Sequence, residues 1–445
     1  MATYTENGAL SNATTKSACL DFFACAGNHS DFSAQFWAAY KEDASLAIRI
    51  LLWSRDCRGG SGAKATFKAA LRQMAEKNTV LLQSLFPYIP EFGSWKDVFT
   101  TFPVPYDWMS MAVASRLKNE GEHSLLCKYI PRKGPWFGAL REKMIMSQSE
   151  FRHYIVSRSA TVEQEMCAQK WADINYSAVP SRAGMLYKNA FIKHDEVRYV
   201  DYISSVLKGE KKINASVLYP NELVARAKND RSEAYEAMWN SLPDYMEGST
   251  ERILPICDTS GSMTGTPIEV SVGLGMYISE RTQGPFKNMF MTFSAYPQLQ
   301  KLSGTFLERM EQLNDADWGT NTNLQRTFEE ILKYALRENV SEDQMPTKLL
   351  IISDMQFDKA VGYDGTNFEA IQEKYRNAGY HMPSIIFWNV RGVFTDTPIT
   401  KDDKNVAIVS GYSPAILKSV LEGDAITPER VMHLTVDIPR YMIFG

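Results

Sequence analysis

The 445-residue chain lacks the features that mark several large classes of protein. Its six cysteines are scattered and none stands in a C-x-x-C pair, so we expect neither disulfides nor a zinc site. No run of about 18 apolar residues occurs, and the first residues have neither a basic start nor an apolar core. We therefore expect no membrane span, no secretory signal, and a reducing, cytoplasmic location.

Sequence motifs of common enzymes are also missing. None of the six histidines stands in an H-E-x-x-H group, and no G-x-S-x-G stretch occurs. The stretch GGSGAK lacks the P-loop spacing G-x-x-x-x-G-K-[ST] and a preceding strand. We therefore do not expect an enzyme, although a metal ion that activates water would still permit a hydrolase.

The net charge of −4 is weak and unevenly placed along the chain. Residues 251–445 carry 18 Lys and Arg against 25 Asp and Glu, so the acidic excess belongs to that segment. The mild basic excess before residue 251 permits a surface that binds nucleic acid but does not require one.

Apolar residues recur every three or four positions from Phe32 to about Trp239, which predicts short helices. Helices this short and this unlike favour stacked pairs in a HEAT-like α-helical repeat over a long coiled coil. The predicted helices are Asp43–Trp53, Ala63–Glu76, Thr79–Leu85, Trp95–Thr101, Asp107–Lys118, Trp136–Met146, Ser149–Ser159, Ser181–Ile192, Glu196–Leu207 and Pro220–Ala227.

After Gly248, short apolar runs alternate with amphipathic helices. This alternation predicts an α/β domain with a doubly wound, Rossmann-like sheet that is mostly parallel. The predicted domains are an N-terminal extension at 1–31, the helical repeat at 32–247 and the α/β domain at 248–445. The predicted strands are Ile253–Cys257, Met289–Phe293, Lys348–Ser353, Ser384–Asn389 and Val406–Ser410; the predicted helices are Pro267–Arg281, Thr305–Leu313, Leu324–Leu336, Asn367–Ala378 and Pro414–Leu421.

Three polar clusters lie where ligands bind in such a sheet, at the carboxyl ends of strands or in the loop before a helix. DTSGS, with Asp258, Ser260 and Ser262, follows ILPIC; GTNTN contains Thr320; Asp354 follows LLIIS. Carboxylates, hydroxyls and retained waters suit Mg²⁺ or Mn²⁺, and Ca²⁺ less tightly. Capping of the next helix would also explain the first cluster, but not the other two.

The pattern D-x-S-x-S, then Thr, then Asp resembles the metal-ion-dependent adhesion site of von Willebrand factor A domains. The resemblance implies one divalent cation with an open coordination position that accepts an acidic group from a protein partner. The implied ligands are Asp258, Ser260, Ser262, Thr320 and Asp354. Trp318 stands where many members have a second Gly, Thr322 is the alternative to Thr320, and Asp358 is expected to be a solvated loop residue.

Stretches in the first half resemble the Ro/TROVE group, in which a ring of helical repeats precedes a von Willebrand A domain. LLWSRDCRGGSGAKATFKAAL resembles a helix–loop–helix segment of that group, and PEFGSWKDVFTTF a second characteristic stretch. KWADINYSAVPSRAGMLYKNAFIKHDEVRYVDYISSVLKG looks closest to a TROVE-like family of uncharacterised proteins in plants, fungi and large viruses. Ro-type proteins form ribonucleoproteins, so the resemblance implies an RNA-binding scaffold for single-stranded ends or small structured RNA.

Three basic clusters are candidate RNA contacts, because cations bind phosphates and neighbouring aromatics stack bases. They are Arg55, Arg58 and Lys64 around GGSG; Lys128, Arg132 and Lys133 beside Trp136 and Phe137; and Lys208, Lys211 and Lys212. Each cluster has a structural alternative: a turn between helices, an Arg55–Asp56 ion pair, aromatic side chains in the core, or a solvated loop. A protein assembly module without RNA binding is therefore the alternative function.

Overall fold

The structure is a computed structural model that describes residues 2–5, 10–292, 297–314, 324–356, 373–391, 396–421 and 426–443. The chain forms two compact units. Phe67–Lys212 form one, which we call the helical unit, and Met1–Thr66 with Ile213–Gly445 form the other, which we call the sheet unit. The sheet unit is therefore discontinuous in sequence.

The described helices confirm the predicted helix-rich character of the first half. Several predicted bounds match the observed ones, among them Thr79–Leu85 and Asp107–Lys118. In chain order the helices are α1 (Ala18–Ala26), α2 (Ser33–Glu42), α3 (Ala44–Arg55), α4 (Ala65–Lys77), α5 (Thr79–Leu85), α6 (Ile89–Phe92), α7 (Trp95–Thr101), α8 (Asp107–Lys118), α9 (Leu125–Tyr129), α10 (Pro135–Lys143), α11 (Gln148–Ser157), α12 (Val162–Cys167), α13 (Ser181–Leu207), α14 (Pro220–Ala227), α15 (Glu233–Asn240), α16 (Thr266–Arg281), α17 (Phe306–Asn314), α18 (Leu324–Arg337), α19 (Leu417–Leu421) and α20 (Pro428–Val436).

In the helical unit, local capping signals set where helices begin, and aromatic side chains fill the core. Capping boxes begin α7 at Ser94 and α11 at Ser147, which satisfies backbone N–H groups that have no partner inside the helix. Trp136 is buried, donates its indole N–H to the Phe102 carbonyl, and meets Phe99 edge to face at 5.0 Å. The Trp136 side chain therefore fills part of the core of this unit.

Helix α13 contains the break that was predicted between Ile192 and Glu196. Asp195 has non-helical backbone angles (φ −152°, ψ 49°), so two helical segments run on through a kink. The Asp195 carboxylate accepts hydrogen bonds from the Tyr176 hydroxyl and from Arg198, both at 2.8 Å. These bonds hold the kinked residue in place.

The sheet unit contains a mixed six-stranded sheet. Five neighbouring strands are parallel, and the sixth, at one edge, is antiparallel. The strands in chain order are β1 (Ala2–Tyr4), β2 (Leu10–Asn12), β3 (Ile253–Cys257), β4 (Met289–Thr292), β5 (Leu299–Lys301), β6 (Lys348–Ser353), β7 (Ser384–Asn389) and β8 (Val406–Ser410). Their order in the sheet is β5-β4-β3-β6-β7-β8, with β5 antiparallel at one edge, while β1 and β2 form a separate antiparallel pair. The predicted strands are confirmed at the bounds of β3, β6, β7 and β8.

The N-terminal segment and the sheet lie in one compact unit. The predicted extension at 1–31 contains α1, in which seven of nine residues are buried, including Phe22 and Phe23. Ser410, the last residue of β8, donates to the Phe23 carbonyl at 2.9 Å and accepts from the Gly27 amide at 3.0 Å. Residues 1–66 and 213–247 therefore belong to the same compact unit as the sheet.

Helix α16 packs against β3 at a position that only glycine fits. A Cβ atom at Gly275 would lie 2.3 Å from the Cys257 Sγ, well inside van der Waals contact. Cys257 is buried, and its thiol donates to the Ser271 carbonyl of the same helix at 3.3 Å. The missing side chain thus lets the helix lie close to the strand that leads into the candidate site.

All six cysteines are free thiols, in agreement with the expectation that the chain forms no disulfides. Cys19, Cys25, Cys127 and Cys257 are buried. Among the described residues, no helix is both long enough and apolar enough to cross a membrane.

Candidate metal site

The strand order places two predicted ligands side by side. From β3 the chain moves outward to β4 and β5, then returns to the other side of β3 as β6. Ligands bind at such a reversal in parallel sheets, outside the carboxyl ends of the strands. Asp258 directly follows β3 and Asp354 directly follows β6, its parallel neighbour, so the topology brings the two carboxylates together.

Asp258 is fully buried and held by hydrogen bonds on both carboxylate oxygens. The Ser353 hydroxyl donates to Oδ2 at 2.6 Å, and the Ser260 amide donates to Oδ1 at 2.9 Å. Burial, followed by repulsion from Asp354, raises the pKa of Asp258 to about 6 despite these bonds. Burial therefore makes the ionised form of Asp258 costly in free energy, and such perturbed groups are common at functional sites.

Asp354 is the second buried carboxylate, with 3% of its surface exposed. Its Oδ1 accepts a hydrogen bond from the Gln356 amide at 3.2 Å. Among the described residues, its Oδ2 is buried without a hydrogen-bond partner, and the Arg391 Nη1 forms an ion pair with it at 3.6 Å, beyond hydrogen-bond distance. Burying a carboxylate oxygen without a hydrogen bond costs free energy, which a closer positive group would lower.

Ser260 and Ser262 complete the first loop. Ser260 is 5% exposed, Ser262 is exposed, and their hydroxyl oxygens are 3.0 Å apart. The capping alternative does not describe this loop, because α16 begins after Gly265, which carries no side chain. Ser260 precedes a short 3₁₀ turn at Gly261–Met263 but makes no side-chain cap there.

These groups fit a hard divalent cation. Two buried carboxylates and two neighbouring hydroxyls form a donor set of oxygen atoms, and one carboxylate oxygen has no hydrogen-bond partner in the part of the chain that the structure describes. Within the described residues, no group of three or more His, Cys, Asp or Glu side chains is placed to hold a metal ion. Thr320, its alternative Thr322, Trp318 and Asp358 lie outside the described residues, so the second loop of the site stays a prediction.

The sequence-based prediction missed two residues that shape this site. Ser353, the last residue of β6, donates to Asp258 Oδ2 and accepts from the Met355 amide at 3.0 Å. Arg391 lies just beyond β7, the next strand in the sheet. The sequence could have revealed Ser353, because it ends the strand directly before the predicted ligand Asp354. The position of Arg391 near the site depends on the register of β6 and β7, which the sequence does not show.

The first basic cluster, around GGSG, is packed rather than open. Arg55 is 2% exposed, whereas Arg58 and Lys64 are exposed. The amides of Gly60 and Gly62 donate to the Asp56 carbonyl at 3.2 and 3.1 Å, and are therefore not available for phosphate. The structural alternative of a turn between two helices describes this loop better.

Asp56 lies beneath this turn and has different partners from the expected one. Its carboxylate accepts hydrogen bonds from Arg440, with the Nη2 at 2.9 Å from Oδ1, and from the Tyr441 hydroxyl at 3.0 Å. A Cβ atom at Gly60 would lie 2.1 Å from the Trp53 carbonyl oxygen. Arg440 thus forms an ion pair with the buried Asp56.

Two of the three residues in the second basic cluster make contacts within the helical unit. Lys128 pairs with Glu163 at 3.1 Å, and Arg132 donates to the Cys127 carbonyl at 3.0 Å and to Ser159 at 3.3 Å. Lys133 is exposed. Trp136 and Phe137 are buried, so they fill core and do not present a stacking surface.

The third basic cluster is exposed throughout. Lys208, Lys211 and Lys212 lie in the loop after α13. The Lys211 Nζ is 5.8 Å from the centre of the Tyr202 ring, which itself stacks on Tyr176 at 5.7 Å. Of the three clusters, this one has all three cations exposed to solvent, and one of them, Lys211, lies near an aromatic ring, that of the buried Tyr202.

Comparison with known proteins gives the following similarities. The model of the family described as "Domain of unknown function (DUF2828)" matches residues 5–101 and 110–250, and that described as "Domain of unknown function (DUF7788)" matches residues 252–437. "Uncharacterized protein L728" of Acanthamoeba polyphaga mimivirus is 28% identical over 489 residues, covering 96% of this chain and 85% of that protein. The crystal structure of the Deinococcus radiodurans RO (RSR) protein is similar with a TM-score of 0.45 and 13% identity, covering 95% of this chain and 100% of that one.

Proposed function

Because this chain belongs to the DUF2828 family, whose description assigns no activity, we propose a function from its own residues. The protein is a scaffold that holds one divalent cation at the edge of its sheet and uses that cation to bind a carboxylate of a partner protein. Its α/β part is of the von Willebrand A type and its helical part a HEAT-like repeat of the Ro/TROVE type. We propose a binding role and not a catalytic one.

One observation carries this proposal: among the described residues, the buried Asp354 Oδ2 has no hydrogen-bond partner beside a second buried carboxylate, Asp258. Arg391 supplies one positive charge near Asp354 Oδ2, at 3.6 Å, and a divalent cation would supply the positive charge and the direct contact that two adjacent buried carboxylates favour. Asp258, Ser260, Ser262 and Asp354 would hold the cation, with Thr320 supplying the second loop. Mg²⁺ is the expected cation, with Mn²⁺ or Ca²⁺ as alternatives, and when bound it offers an open coordination position to an acidic group.

The partners of Asp258 favour binding over hydrolysis. Both of its oxygens already accept hydrogen bonds, from the Ser260 amide and the Ser353 hydroxyl. As a ligand of the cation, Asp258 would have its oxygens occupied further and would not be free to take a proton from water. A metal-dependent hydrolase is therefore the weaker alternative.

Calorimetric titration with Mg²⁺ tests the site directly. Asp258→Ala removes a proposed ligand, and we expect an affinity loss of about a hundredfold or more, because a carboxylate ligand is lost from a buried site. The control is Asp402→Ala, which removes an exposed carboxylate paired with Lys16. Binding by the Asp258 variant equal to wild type, in protein with an unchanged circular dichroism spectrum, would refute the assignment.

RNA binding is the second candidate, favoured by the exposed cluster Lys208, Lys211 and Lys212. Exposed cations such as these bind the phosphates of RNA. Assembly without RNA remains the alternative. The cytoplasmic location stays a prediction.

A gel shift with a single-stranded RNA separates these two functions. Charge reversal at the cluster, Lys208→Glu with Lys211→Glu and Lys212→Glu, should weaken binding at least about tenfold and flatten its salt dependence. The matched control reverses three exposed lysines of the sheet unit. They are Lys301, Lys333 and Lys404. No shift by the wild-type chain at low salt would leave assembly as the function.

A further inference from the structure

Arg391 places a guanidinium group against the candidate metal site. Its Nη1 lies 3.6 Å from the Asp354 Oδ2, the buried oxygen to which no described residue donates a hydrogen bond. The Arg391 side chain is 25% exposed, whereas that of Asp354 is 1% exposed. The Arg391 side chain is therefore partly accessible to solvent, whereas the carboxylate that it faces is not.

The backbone at Arg391 is fixed by two buried amide side chains. The Arg391 amide donates to the Asn389 Oδ1 at 2.9 Å, and the Asn28 amide group donates to the Arg391 carbonyl. The Val390 amide donates to the Ser353 carbonyl at 3.1 Å, which extends the pairing of β7 with β6. Asn28 and Asn389 are both buried. The base of the Arg391 side chain is thus held in register with Asp354.

We propose that Arg391 forms the second half of the partner-binding site and selects a carboxylate. Asp258 and Asp354 would hold the cation that meets one oxygen of the incoming carboxylate, and the Arg391 guanidinium would donate to the other. A guanidinium suits this task because its planar fork of N–H donors matches the two oxygens of a carboxylate. This inference rests on the proposed metal-dependent docking and deepens it, since it names the residue that recognises the ligand.

The proposal predicts opposite effects on the two binding steps. A fixed positive charge near the site repels a divalent cation, so Arg391 lowers metal affinity. The same charge attracts and orients a carboxylate, so Arg391 raises carboxylate affinity once the metal is bound. A residue with only a structural role would weaken both steps when it is replaced.

The experiment uses the full chain with Mn²⁺ and acetate as probes. Electron paramagnetic resonance of free Mn²⁺ gives the metal affinity, and water-proton relaxation at saturating Mn²⁺ gives the acetate affinity. For Arg391→Gln we expect Mn²⁺ to bind about tenfold more tightly and acetate about tenfold more weakly. Arg391→Lys keeps the charge but loses the fork, so it should leave Mn²⁺ affinity near wild type and still weaken acetate.

The control is Arg430→Gln, which removes an exposed arginine from α20 and should change neither affinity. Unchanged acetate affinity in Arg391→Gln, or a loss of both affinities, would overturn the role of Arg391 and leave the metal site standing. A wild-type chain that binds no Mn²⁺ would instead refute the docking function itself. The lysine variant answers the question if the glutamine variant does not fold.

Discussion

At the scale of a single residue, Asp258 is a carboxylate that the fold buries completely. It has no exposed surface, and its pKa lies near 6 because of burial and the neighbouring Asp354. At neutral pH the metal-free protein therefore holds an ionised group that would be more stable in water. A residue that weakens the fold in this way is expected to serve binding, since natural proteins exchange stability for function at their sites.

Asp258→Asn should make the metal-free protein more stable while abolishing Mg²⁺ binding. The amide removes the buried charge and its repulsion with Asp354, while its oxygen still accepts from the Ser260 amide. We expect the free energy of unfolding in urea with EDTA at pH 7.5 to rise by roughly 1–3 kcal/mol. Asp402→Asn, at an exposed position, should change it by less than about 0.5 kcal/mol. A destabilised Asp258→Asn protein would contradict this account.

The same residue predicts a dependence of stability on pH in EDTA. A raised pKa means that the folded state binds more protons than the unfolded chain between about pH 4 and pH 6. The contribution of Asp258 to stability is therefore full below pH 4 and is lost as the pH rises through 6. The measurement is the difference in unfolding free energy between Asp258→Asn and wild type, which should grow across this window. A difference that stays constant with pH would argue against the shifted pKa.

At the scale of elements, the central strands were predictable and the edges were not. ILPIC, KLLIIS and SIIFWN are apolar on both faces, and their bounds as β3, β6 and β7 are confirmed. The short strand β5 has the sequence LQK, which carries no apolar pattern, and it forms by pairing with β4. Helix α1 was missed because its sequence, ACLDFFACA, is apolar nearly all round and shows no helical periodicity.

In the candidate site, too, some residues were predictable from the sequence and others were not. Asp258 and Asp354 were predictable because a strand precedes each, and the carboxyl ends of neighbouring parallel strands meet. Arg391 was not, since its approach to Asp354 depends on the pairing of β6 with β7 and on Asn28, which lies 363 residues away in sequence. Side chains that long-range register brings together leave no local pattern in a sequence.

The close contact between α16 and β3 gives a prediction at this scale. Gly275→Ala puts a methyl group 2.3 Å from the Cys257 Sγ, and should destabilise the protein by about 1–3 kcal/mol through overpacking. Cys257→Ala removes the sulfur, so the double variant should recover most of that loss. The measurement is urea unfolding of the three variants.

The matched control is Gly138→Ala, at a helical glycine of α10 with nothing within 4 Å of the added Cβ. This change should stabilise the protein by about 0.5–1 kcal/mol, because alanine is the better helix former. If Cys257→Ala fails to relieve Gly275→Ala, the contact between the helix and the strand is not the cause.

At the scale of the whole molecule, the division into units predicts which segments respond to the metal. Residues 1–66 belong to the same unit as the sheet, whereas 67–212 form the other. Mg²⁺ at about a hundredfold excess over its dissociation constant should add about 2.7 kcal/mol to the unit that binds it. Hydrogen exchange followed by mass spectrometry should therefore slow in β3, β6 and α1, with residues 67–212 nearly unchanged.

A comparison of saturating Mg²⁺ with EDTA provides the measurement, and Asp258→Ala provides the control that should show no difference. Equal protection of residues 67–212 would mean that the two units open together. Protection confined to residues 253–258 and 348–356, with none at α1, would mean that the N-terminal segment opens separately from the sheet.

The bond between Ser410 and Phe23 joins residues 387 positions apart, and this separation constrains how the protein is made. On the ribosome, α1 emerges long before β8 has been synthesised, so Phe22 and Phe23 have no sheet to cover them during most of translation. The continuous helical unit can fold while the sheet unit waits for its last strands. The N-terminal segment is therefore where we expect chaperones to bind the nascent chain.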